Sequence, residues 1–520
     1  MGNFLRLLLF LPAFFLIFPT GCTSADSSDW DTVKDPLLAG SWYSANAKKL
    51  TRNIELYLKR CGDLKSPIIP VGLISPHAGH VYSGQAAAYA YKCLSGKDIK
   101  QVIVLGVCHG YPLQGASILK AKAFRTPLGD IPIDRHACKK LLENELFQTS
   151  KAAFAREHSI EIQLPFLQVV LKKGYRIVPI LLGHLSGEDY QKMGAAIKKI
   201  MHDKSVVVAS SDFTHFGSRF GYNPFSSDLP ENIRNLDMGA INPILKRDFP
   251  TYQKYLQKTR ATICGRVPIG LLLQIVAEKV RGKLLRYYRS ADLTGEWNGS
   301  VSYASIVFYA DEAGDEKDSG SFLFKNSEKE IMENKKLSLK EQKQLLQLAR
   351  TTLKSYVKAK KAPDPATLEM KVSDALKRKY GLFVTLNMHK RLRGCIGIIK
   401  GVDPLYKAVI RSTINSSSFD HRFSPVTPAE LNDIHIEISV LTPLQPVRDP
   451  YDIVIGWDGI VLTKNDRQAL FLPQVAINYS WGLEETLQHL CRKAGLANDA
   501  WKEGAQFQVF QAQIFSEDIF

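Results

Sequence analysis

Two histidines and two glycines lie close together in residues 75–84, which read SPHAGHVYSG. The apolar run before them, residues 68–74, predicts a buried strand, and the alanine-rich segment after them predicts a helix. Ligands of an open α/β sheet bind at the carboxyl ends of its strands. The stretch therefore places imidazoles and exposed backbone amides at an edge of the sheet where chemistry is expected.

The elements that would position these residues alternate along residues 35–310. Apolar runs typical of strands and amphipathic segments typical of helices follow one another. The runs are residues 101–107, 175–182, 205–210 and 301–309, and the segments are residues 160–173, 189–201 and 268–280. This order predicts an α/β fold with a largely parallel sheet and helices on both faces.

A second, smaller domain is predicted over residues 338–520. Residues 311–337 are rich in acidic and small residues without periodicity, which indicates a linker. Ser338 and Glu341 then form a capping box at the start of a leucine-rich helix. Strands are expected at 381–386, 434–441 and 459–462, and helices at 404–416 and 483–494. The mixture favours an α+β domain.

Composition excludes some classes of protein. The chain has 520 residues and a formal net charge of +17, but its lysines and arginines are spread out. No basic block is interleaved with aromatic residues, so we expect a solvated basic surface and no nucleic-acid partner. The eight cysteines are scattered without a CxxC pair, which does not suit a disulfide scaffold.

The first 22 residues have the pattern of an export signal. Arg6 precedes an apolar run, residues 7–18, that is short for a membrane span. A small residue, Gly21, then precedes Cys22, which resembles the lipidation site of a bacterial lipoprotein. We therefore expect an exported protein anchored by lipid on the periplasmic or cell-surface side. A cleaved secretory signal and an uncleaved anchor are the alternatives.

Six strings of the larger domain, taken in order, resemble the Memo family. They are AGSWY (39–43), SPHAG (75–79), LGVCH (105–109), EHSIE (157–161), SSDFTHFG (210–217) and TICGR (262–266). The resemblance implies a fold like that of the class III extradiol dioxygenases. It also implies a transition metal held by His77, His109 and Cys264. Such a donor set suits Fe or Cu, with Zn also possible, and leaves an open coordination position.

The same resemblance places Asp212 and His215 beside the metal as candidate catalytic residues, with the aspartate orienting a histidine or the histidine acting as acid and base. His158 is a third candidate, and Glu161, one helical turn further on, is expected to line the same cleft. Cys108 replaces a serine common in the family. Its thiol could compete as a ligand or pair with Cys264. Alternatively, His77, His109 and His215 are hydrogen-bonded structural residues and Cys264 is a small core residue.

The second domain resembles the AMMECR family through LRGCIG (392–397), DHRFSPV (420–426), EISVL (437–441) and FLPQV (471–475). The residue types suggest a candidate pocket formed by Arg393, Cys395, Asp420, His421 and Arg422. On an extended strand, Arg393 and Cys395 face the same side. Alternatively, Cys395 fills a core and the glycines of the string allow close packing.

These resemblances imply membership of the AmmeMemoRadiSam system, as its proteins B and A fused in one chain, with a radical-SAM protein as a partner. The leading hypothesis is redox or dioxygenase-like chemistry on an unknown small substrate. The alternative is a non-enzymatic adaptor that handles metal or binds peptides. Walker loops, dinucleotide fingerprints and HExxH motifs are absent from the sequence.

Overall fold

The computed structural model describes residues 30–64, 68–276, 280–310, 336–364, 372–389 and 391–519, and the structural statements below concern these residues. The first domain contains twelve strands and ten helices among them. The strands are β1 Val33–Lys34, β2 Gly72–Ser75, β3 Gln101–Val107, β4 Ala116–Ile118, β5 Ala123–Thr126, β6 Gly129–Pro132, β7 Phe147–Gln148, β8 Arg176–Leu182, β9 Ser205–Ser210, β10 His215–Phe216, β11 Val280–Arg289 and β12 Ser300–Ala310. The helices are α1 Ala47–Arg60, α2 His80–Lys92, α3 Arg135–Leu141, α4 Lys151–Ala155, α5 Leu164–Val170, α6 Gly187–Lys198, α7 Leu229–Leu245, α8 Phe249–Thr259, α9 Arg266–Ile275 and α10 Ala291–Thr294.

A nine-stranded mixed sheet forms the centre of this domain. Its order is β10-β12-β2-β9-β3-β8-β4-β7, with β11 paired to β12. The four central strands, β2, β9, β3 and β8, are parallel, whereas β12 runs antiparallel to β2 and β4 runs antiparallel to β8. The central strands are almost wholly buried, as expected for strands covered on both faces. The expected α/β class with a smaller second domain is confirmed, with antiparallel strands flanking the parallel centre.

Two predicted helices of this domain differ from the structure. Residues 160–173 form a turn, the 3₁₀ helix Glu161–Gln163 and only then α5, where Pro165 occupies the first turn. The predicted helix at 268–280 ends at Ile275 because Val276 is extended. The long strand β11 then begins at Val280. Local periodicity did not separate these short apolar segments.

The second domain consists of two antiparallel sheets with helices. Its strands are β13 Leu382–Met388, β14 Arg391–Ile398, β15 Ile434–Leu441, β16 Gln445–Val447, β17 Gly459–Lys464, β18 Arg467–Phe471, β19 Gln506–Phe510 and β20 Ala512–Ser516. Its helices are α11 Leu339–Ala359, α12 Leu405–Ser418, α13 Pro473–Asn478 and α14 Leu483–Lys493. The sheets have the orders β14-β13-β15-β20 and β16-β19-β17-β18. The predicted capping box is present, with Glu341 donating its backbone N–H to the Ser338 hydroxyl.

The two domains pack directly against each other. Arg60 of α1 forms a 2.5 Å ion pair with Asp458, whose side chain is only 3% exposed. Arg52 contacts both Asp449 and Asp452 of the second domain. A mixed apolar cluster continues this interface, in which the Trp457 ring lies 5.2 Å from that of Tyr288.

The signal over residues 1–22, including Cys22, lies outside the described residues, as does nearly all of the predicted linker. Within the described ranges, the helices include none with the length and apolar character needed to span a membrane.

Candidate metal centre

Three candidate site residues each follow a neighbouring strand of the parallel sheet by two positions. His77 follows β2, Asp212 follows β9 and His109 follows β3, and β9 lies between the other two strands. Because parallel strands end at the same edge, the topology itself brings these three residues together. The edge of the sheet predicted from the histidine-rich stretch is therefore where the cluster forms.

Cys264 does not follow a strand but lies two residues before α9. The following residue, Gly265, packs so tightly on β9 that an added Cβ would come within 2.2 Å of the Cβ of Ser211. Only a residue without a side chain permits this approach. The backbone N–H of Asp212 then donates to the sulfur of Cys264 at 3.3 Å.

The donor atoms of His77, His109 and Cys264 converge. One ligand atom from each of the three lies within 4.8 Å of the other two. Among these atoms, Nε2 of His77 and Sγ of Cys264 are 3.0 Å apart. His109, Glu157 and His158 form a second group of the same kind. Both groups share His109.

The hydrogen bonds of Ser210 fix the tautomer of His77. The Ser210 hydroxyl donates its only proton to the carbonyl of Ser159 at 2.6 Å and accepts from the Gln163 amide at 2.9 Å. Nδ1 of His77, 2.9 Å from the same hydroxyl, must therefore be the donor. Nε2 consequently carries the lone pair and faces the thiol. Burial lowers the pKa of His77 well below its usual value, so the ring is a neutral ligand.

Glu157 fixes His109 in the same way. Its carboxylate accepts the backbone N–H groups of His109, His158 and Ser159 and lies 3.0 Å from Nδ1 of His109. Although burial opposes its charge, these donors lower the pKa of Glu157 to about 2. The anion binds Nδ1 of His109 and so orients the ring, as in carboxylate–histidine–metal arrangements. Sequence reasoning did not single out this residue, although it adjoins His158.

His158 lies in the cluster. Its ring stacks on that of His109 with centroids 4.6 Å apart and meets that of His77 edge-on at 5.4 Å. Burial lowers the pKa of His158 to about 4, although the neighbouring Glu157 opposes the shift. The ring of Trp42, which is 37% exposed, also contacts His158, with the centroids 4.7 Å apart.

The expectation that Glu161 lines this cleft is wrong. Its fully buried carboxylate accepts the backbone N–H groups of Leu37 and Leu38 and the hydroxyl of Tyr43. The spacing argument failed because residues 158–160 form a turn and not a regular helix. Glu161 instead anchors the loop that presents Trp42.

Asp212 and His215 both border the cluster. Oδ1 of Asp212 accepts the backbone N–H of His77 at 2.7 Å, so this aspartate orients the loop. Burial raises the pKa of Asp212 to about 6, against the opposing effect of His215. Nδ1 of His215 lies 3.0 Å from the carbonyl oxygens of both Phe213 and Thr262 and is therefore protonated.

Cys108 belongs to neither group of converging ligand atoms. Its thiol donates to the carbonyl of Tyr111 at 3.3 Å. All seven cysteines of the described ranges are free thiols, so the structure contains no Cys108–Cys264 disulfide among them.

The candidate pocket of the second domain is only partly assembled. Asp420 accepts the backbone N–H of Cys395 at 2.8 Å and pairs with Arg422, which also donates to the carbonyl of Cys395. His421 is exposed. Arg393 is bound elsewhere, to Glu430 at 2.7 Å. The strand register shifts beside Arg393, which interrupts the regular alternation assumed for Arg393 and Cys395.

The donor set of the first domain fits a transition metal. Nε2 of His77 faces the Cys264 thiol, a ligand atom of His109 lies within 4.8 Å of both, and Nδ1 of each ring is held by a hydrogen bond. The 3.0 Å contact between Nε2 of His77 and Sγ of Cys264 is a hydrogen bond in which a metal ion would replace the proton. These residues would hold the ion, and Glu157 and Ser210 would orient them.

Replacing Glu157 by glutamine should weaken metal binding about 10- to 100-fold, because the amide no longer fixes the His109 tautomer by charge. Competition with a chelator measures this affinity. The matched control is Glu161→Gln, another buried carboxylate, which should reduce thermal stability and leave metal affinity close to wild type. Equal affinity losses in both variants would assign Glu157 a purely structural role.

The fold and this cluster define an α/β protein with a histidine–histidine–cysteine site at the carboxyl edge of its sheet. Residues 34–307, more than half of the chain, match the family model for Memo-like protein, and the chain belongs to that family. Residues 346–515 match the AMMECR1 family model. Both resemblances inferred from the sequence are confirmed.

Named relatives align with about half of this chain. The chain is 38% identical over 288 residues to Protein memo-1 homolog of Caenorhabditis elegans, covering 52% of this chain and 81% of the relative. It is 34% identical over 281 residues to Protein MEMO1 of Homo sapiens, covering 51% and 94%. Protein MEMO1 of Danio rerio is 35% identical over the same length and coverage.

Two crystal structures of uncharacterised proteins also align. One from Pyrococcus horikoshii is 36% identical, covers 34% of this chain and 90% of its own, and has a TM-score of 0.31. One from Escherichia coli K12 is 11% identical, covers 45% and 98%, and has a TM-score of 0.32.

Proposed function

We propose that the Memo-like domain binds a transition metal through His77, His109 and Cys264 and carries out redox or dioxygenase-like chemistry on a small substrate. The observation that supports this most is the convergence of one ligand atom each from His77, His109 and Cys264, with Nδ1 of both rings held by hydrogen bonds. A purely structural histidine cluster does not require its ligand atoms to meet a thiol.

Iron or copper suits this soft donor set, with zinc as a further candidate, and would supply redox exchange and an open coordination position. The chain's own residues have separate roles. His215, whose Nδ1 is held by two backbone carbonyls, lies at the border of the cluster and can act there as an acid or base toward a substrate. His158 adds a neutral ring, and Asp212 holds the His77 loop in place. Trp42 shields His158 and can contact an apolar part of the substrate.

Oxygen uptake separates an enzyme from a metal-handling or peptide-binding adaptor. Protein purified anaerobically and loaded with Fe(II) is mixed with a small-molecule extract and dioxygen. We expect the wild-type protein to consume oxygen. His215→Ala should consume it at least about tenfold more slowly at unchanged metal content, because general acid–base catalysis contributes that much or more. An adaptor would bind the metal, but the wild type and His215→Ala would then consume oxygen at the same rate or not at all.

We further propose that the chain is exported, anchored by lipid at Cys22, and works with a radical-SAM protein. The support is the short apolar run ending at a small residue before Cys22, and the presence of Memo-like and AMMECR1 domains in one chain. Burial of acyl chains in the bilayer would anchor the protein stably, whereas a basic surface alone would not.

Substituting Cys22 tests the anchor. Cys22→Ala should move the protein from the membrane fraction to the soluble fraction or leave its precursor unprocessed, because the acylated thiol is lost. Fractionation and mass analysis of the mature N-terminus measure both effects, and Cys61→Ala serves as the control. An unmodified N-terminus beyond Cys22 in the wild-type protein would contradict lipidation.

A further inference from the structure

The second domain packs around the first turn of α2, the helix that begins three positions after His77. Val454 of the second domain is buried within the apolar core of the first domain. Ile477 and Trp457 share a smaller apolar cluster with Ala78, the residue directly after His77. The contact between the domains therefore extends to the loop that carries a proposed metal ligand.

Gly456 of the second domain lies directly against this turn. Its φ of +86° is in the left-handed region that favours glycine. A Cβ at this position would lie 3.0 Å from Cγ2 of Val81 and 2.9 Å from Cδ1 of Ile477. Both the conformation and the close approach favour glycine, so the backbone of the second domain packs on Val81 without an intervening side chain.

Tyr288 of β11 connects Trp457 with the same turn. The two rings meet edge-on, with their centroids 5.2 Å apart. The Tyr288 hydroxyl donates to the carbonyl of Tyr82 at 2.6 Å and accepts the backbone N–H of Ala86 at 3.3 Å. These two backbone groups face each other in a regular helix, so the hydroxyl inserts into the hydrogen-bond ladder of α2. The first turn of α2 thus depends on a side chain that packs on the second domain.

The same turn is bonded to the residues directly after His77. The Ser83 hydroxyl donates to the carbonyl of Ala78 at 2.7 Å, and the backbone N–H groups of Tyr82 and Ser83 donate to the carbonyl of Gly79. Gly79 is the N-cap residue, so this helix end has no side-chain cap. Its position is therefore set by packing and by these few bonds.

Helix α1 forms a second connection. Its last residue, Arg60, pairs with Asp458, and the Asp458 carboxylate also accepts the backbone N–H of Val454 at 2.8 Å. The hydroxyl of Tyr57, on the same helix, donates to the carbonyl of His80 at 3.0 Å. Both α1 and α2 therefore link the loop of residues 454–458 to the segment that contains His77.

We infer that the second domain positions the metal loop: Gly456 and Trp457 hold the first turn of α2, and through it His77, so that docking of the second domain tightens metal binding. This inference rests on the proposed metal site and assigns the second domain a role in it. Coupling between two binding events is reciprocal, so a bound metal should also strengthen the contact between the domains.

Amide hydrogen exchange of the metal-free, full-length chain tests the positioning. Gly456→Leu introduces a side chain between the second domain and Val81, and Tyr288→Phe removes the hydroxyl from the α2 ladder. We expect both variants to exchange faster than the wild type over residues 77–86, because this segment loses contacts that oppose local opening. The measurement requires no metal and is therefore independent of the proposed metal site.

Gly504→Leu and Tyr175→Phe are the matched controls. Gly504 also has a positive φ, +67°, but its Cβ position meets only the end of the Lys464 side chain, at 3.9 Å. The Tyr175 hydroxyl is buried and has no hydrogen-bond partner among the described residues. Both controls should leave the exchange of residues 77–86 and the metal affinity at the wild-type values.

Competition with a chelator then measures the metal affinity of the same proteins. We expect Gly456→Leu and Tyr288→Phe to bind metal at least about fivefold more weakly, the lower end of the usual coupling between linked sites. Protection of residues 483–493 shows whether the second domain of Gly456→Leu is folded, and Tyr288→Phe tests the inference without altering that domain.

Unchanged exchange over residues 77–86 in Tyr288→Phe and in folded Gly456→Leu would overturn the inference. So would unchanged metal affinity in a variant with faster exchange, or equal changes in the two controls. A wild-type protein without metal affinity would overturn the proposed metal site and this inference with it, whereas the other outcomes overturn the inference alone.

Discussion

Cys264→Ala should retain almost no metal after purification. Cys264 supplies the only sulfur among the three converging ligands and the only donor that becomes anionic. Replacement of residues that merely orient ligands weakens metal binding about 10- to 100-fold, so loss of a ligand should weaken it by more than about 100-fold. Elemental analysis of anaerobically purified protein gives the stoichiometry directly.

Cys108→Ala is the matched control for this experiment. It removes a nearby thiol, adjacent to His109 in sequence, that contacts the Tyr111 carbonyl and belongs to neither ligand group. Its metal content should equal that of the wild type. Metal retained by Cys264→Ala, or lost to the same extent from Cys108→Ala, would contradict the proposed ligand set.

Among substitutions outside the apolar cores, Arg60→Ala should lower the free energy of unfolding the most. It leaves the buried carboxylate of Asp458 without its cation, although the backbone N–H of Val454 still donates to it. Breaking a buried ion pair costs about 3–5 kcal/mol, and the 26% exposure of the Arg60 side chain places this case at about 3 kcal/mol. Denaturant unfolding measures the loss.

The control for this variant is Lys49→Ala, which breaks the ion pair with Glu484 across the same interface. Both of those side chains are more than 40% exposed, so the effect should be below about 1 kcal/mol.

Proteolysis within residues 311–337 adds a second measurement. The two fragments should stay associated in the wild type and in Lys49→Ala but separate in Arg60→Ala. If Arg60→Ala and Lys49→Ala lost the same unfolding free energy and their fragments stayed associated alike, the Arg60–Asp458 ion pair would not be essential for the contact between the domains.

The sequence was informative where the determinants are local. The apolar runs that became β2, β3 and β9 predicted which residues follow strand ends, and the parallel topology then brought His77, His109 and Asp212 together. The capping box at Ser338 also depends on neighbouring residues alone. Such features follow from periodicity and from the chemistry of a few adjacent side chains.

Contacts between distant residues could not be predicted in this way. Arg52 and Asp452 are 400 positions apart, and no pattern near either residue identifies its partner. The roles of Glu157 and Glu161 depend on the turn between them, whereas the spacing argument assumed a regular helix there. The register shift beside Arg393 similarly overrides the alternation expected of a regular strand.

X-ray absorption at the edge of the bound metal tests the central claim most directly. The proposed site predicts one sulfur neighbour at about 2.3 Å and two imidazole nitrogens at about 2.0–2.1 Å, distances typical of zinc and of similar ions. The sulfur contribution should disappear from Cys264→Ala reconstituted with excess metal. A spectrum of the wild-type protein with oxygen and nitrogen neighbours alone would contradict the His77, His109 and Cys264 site.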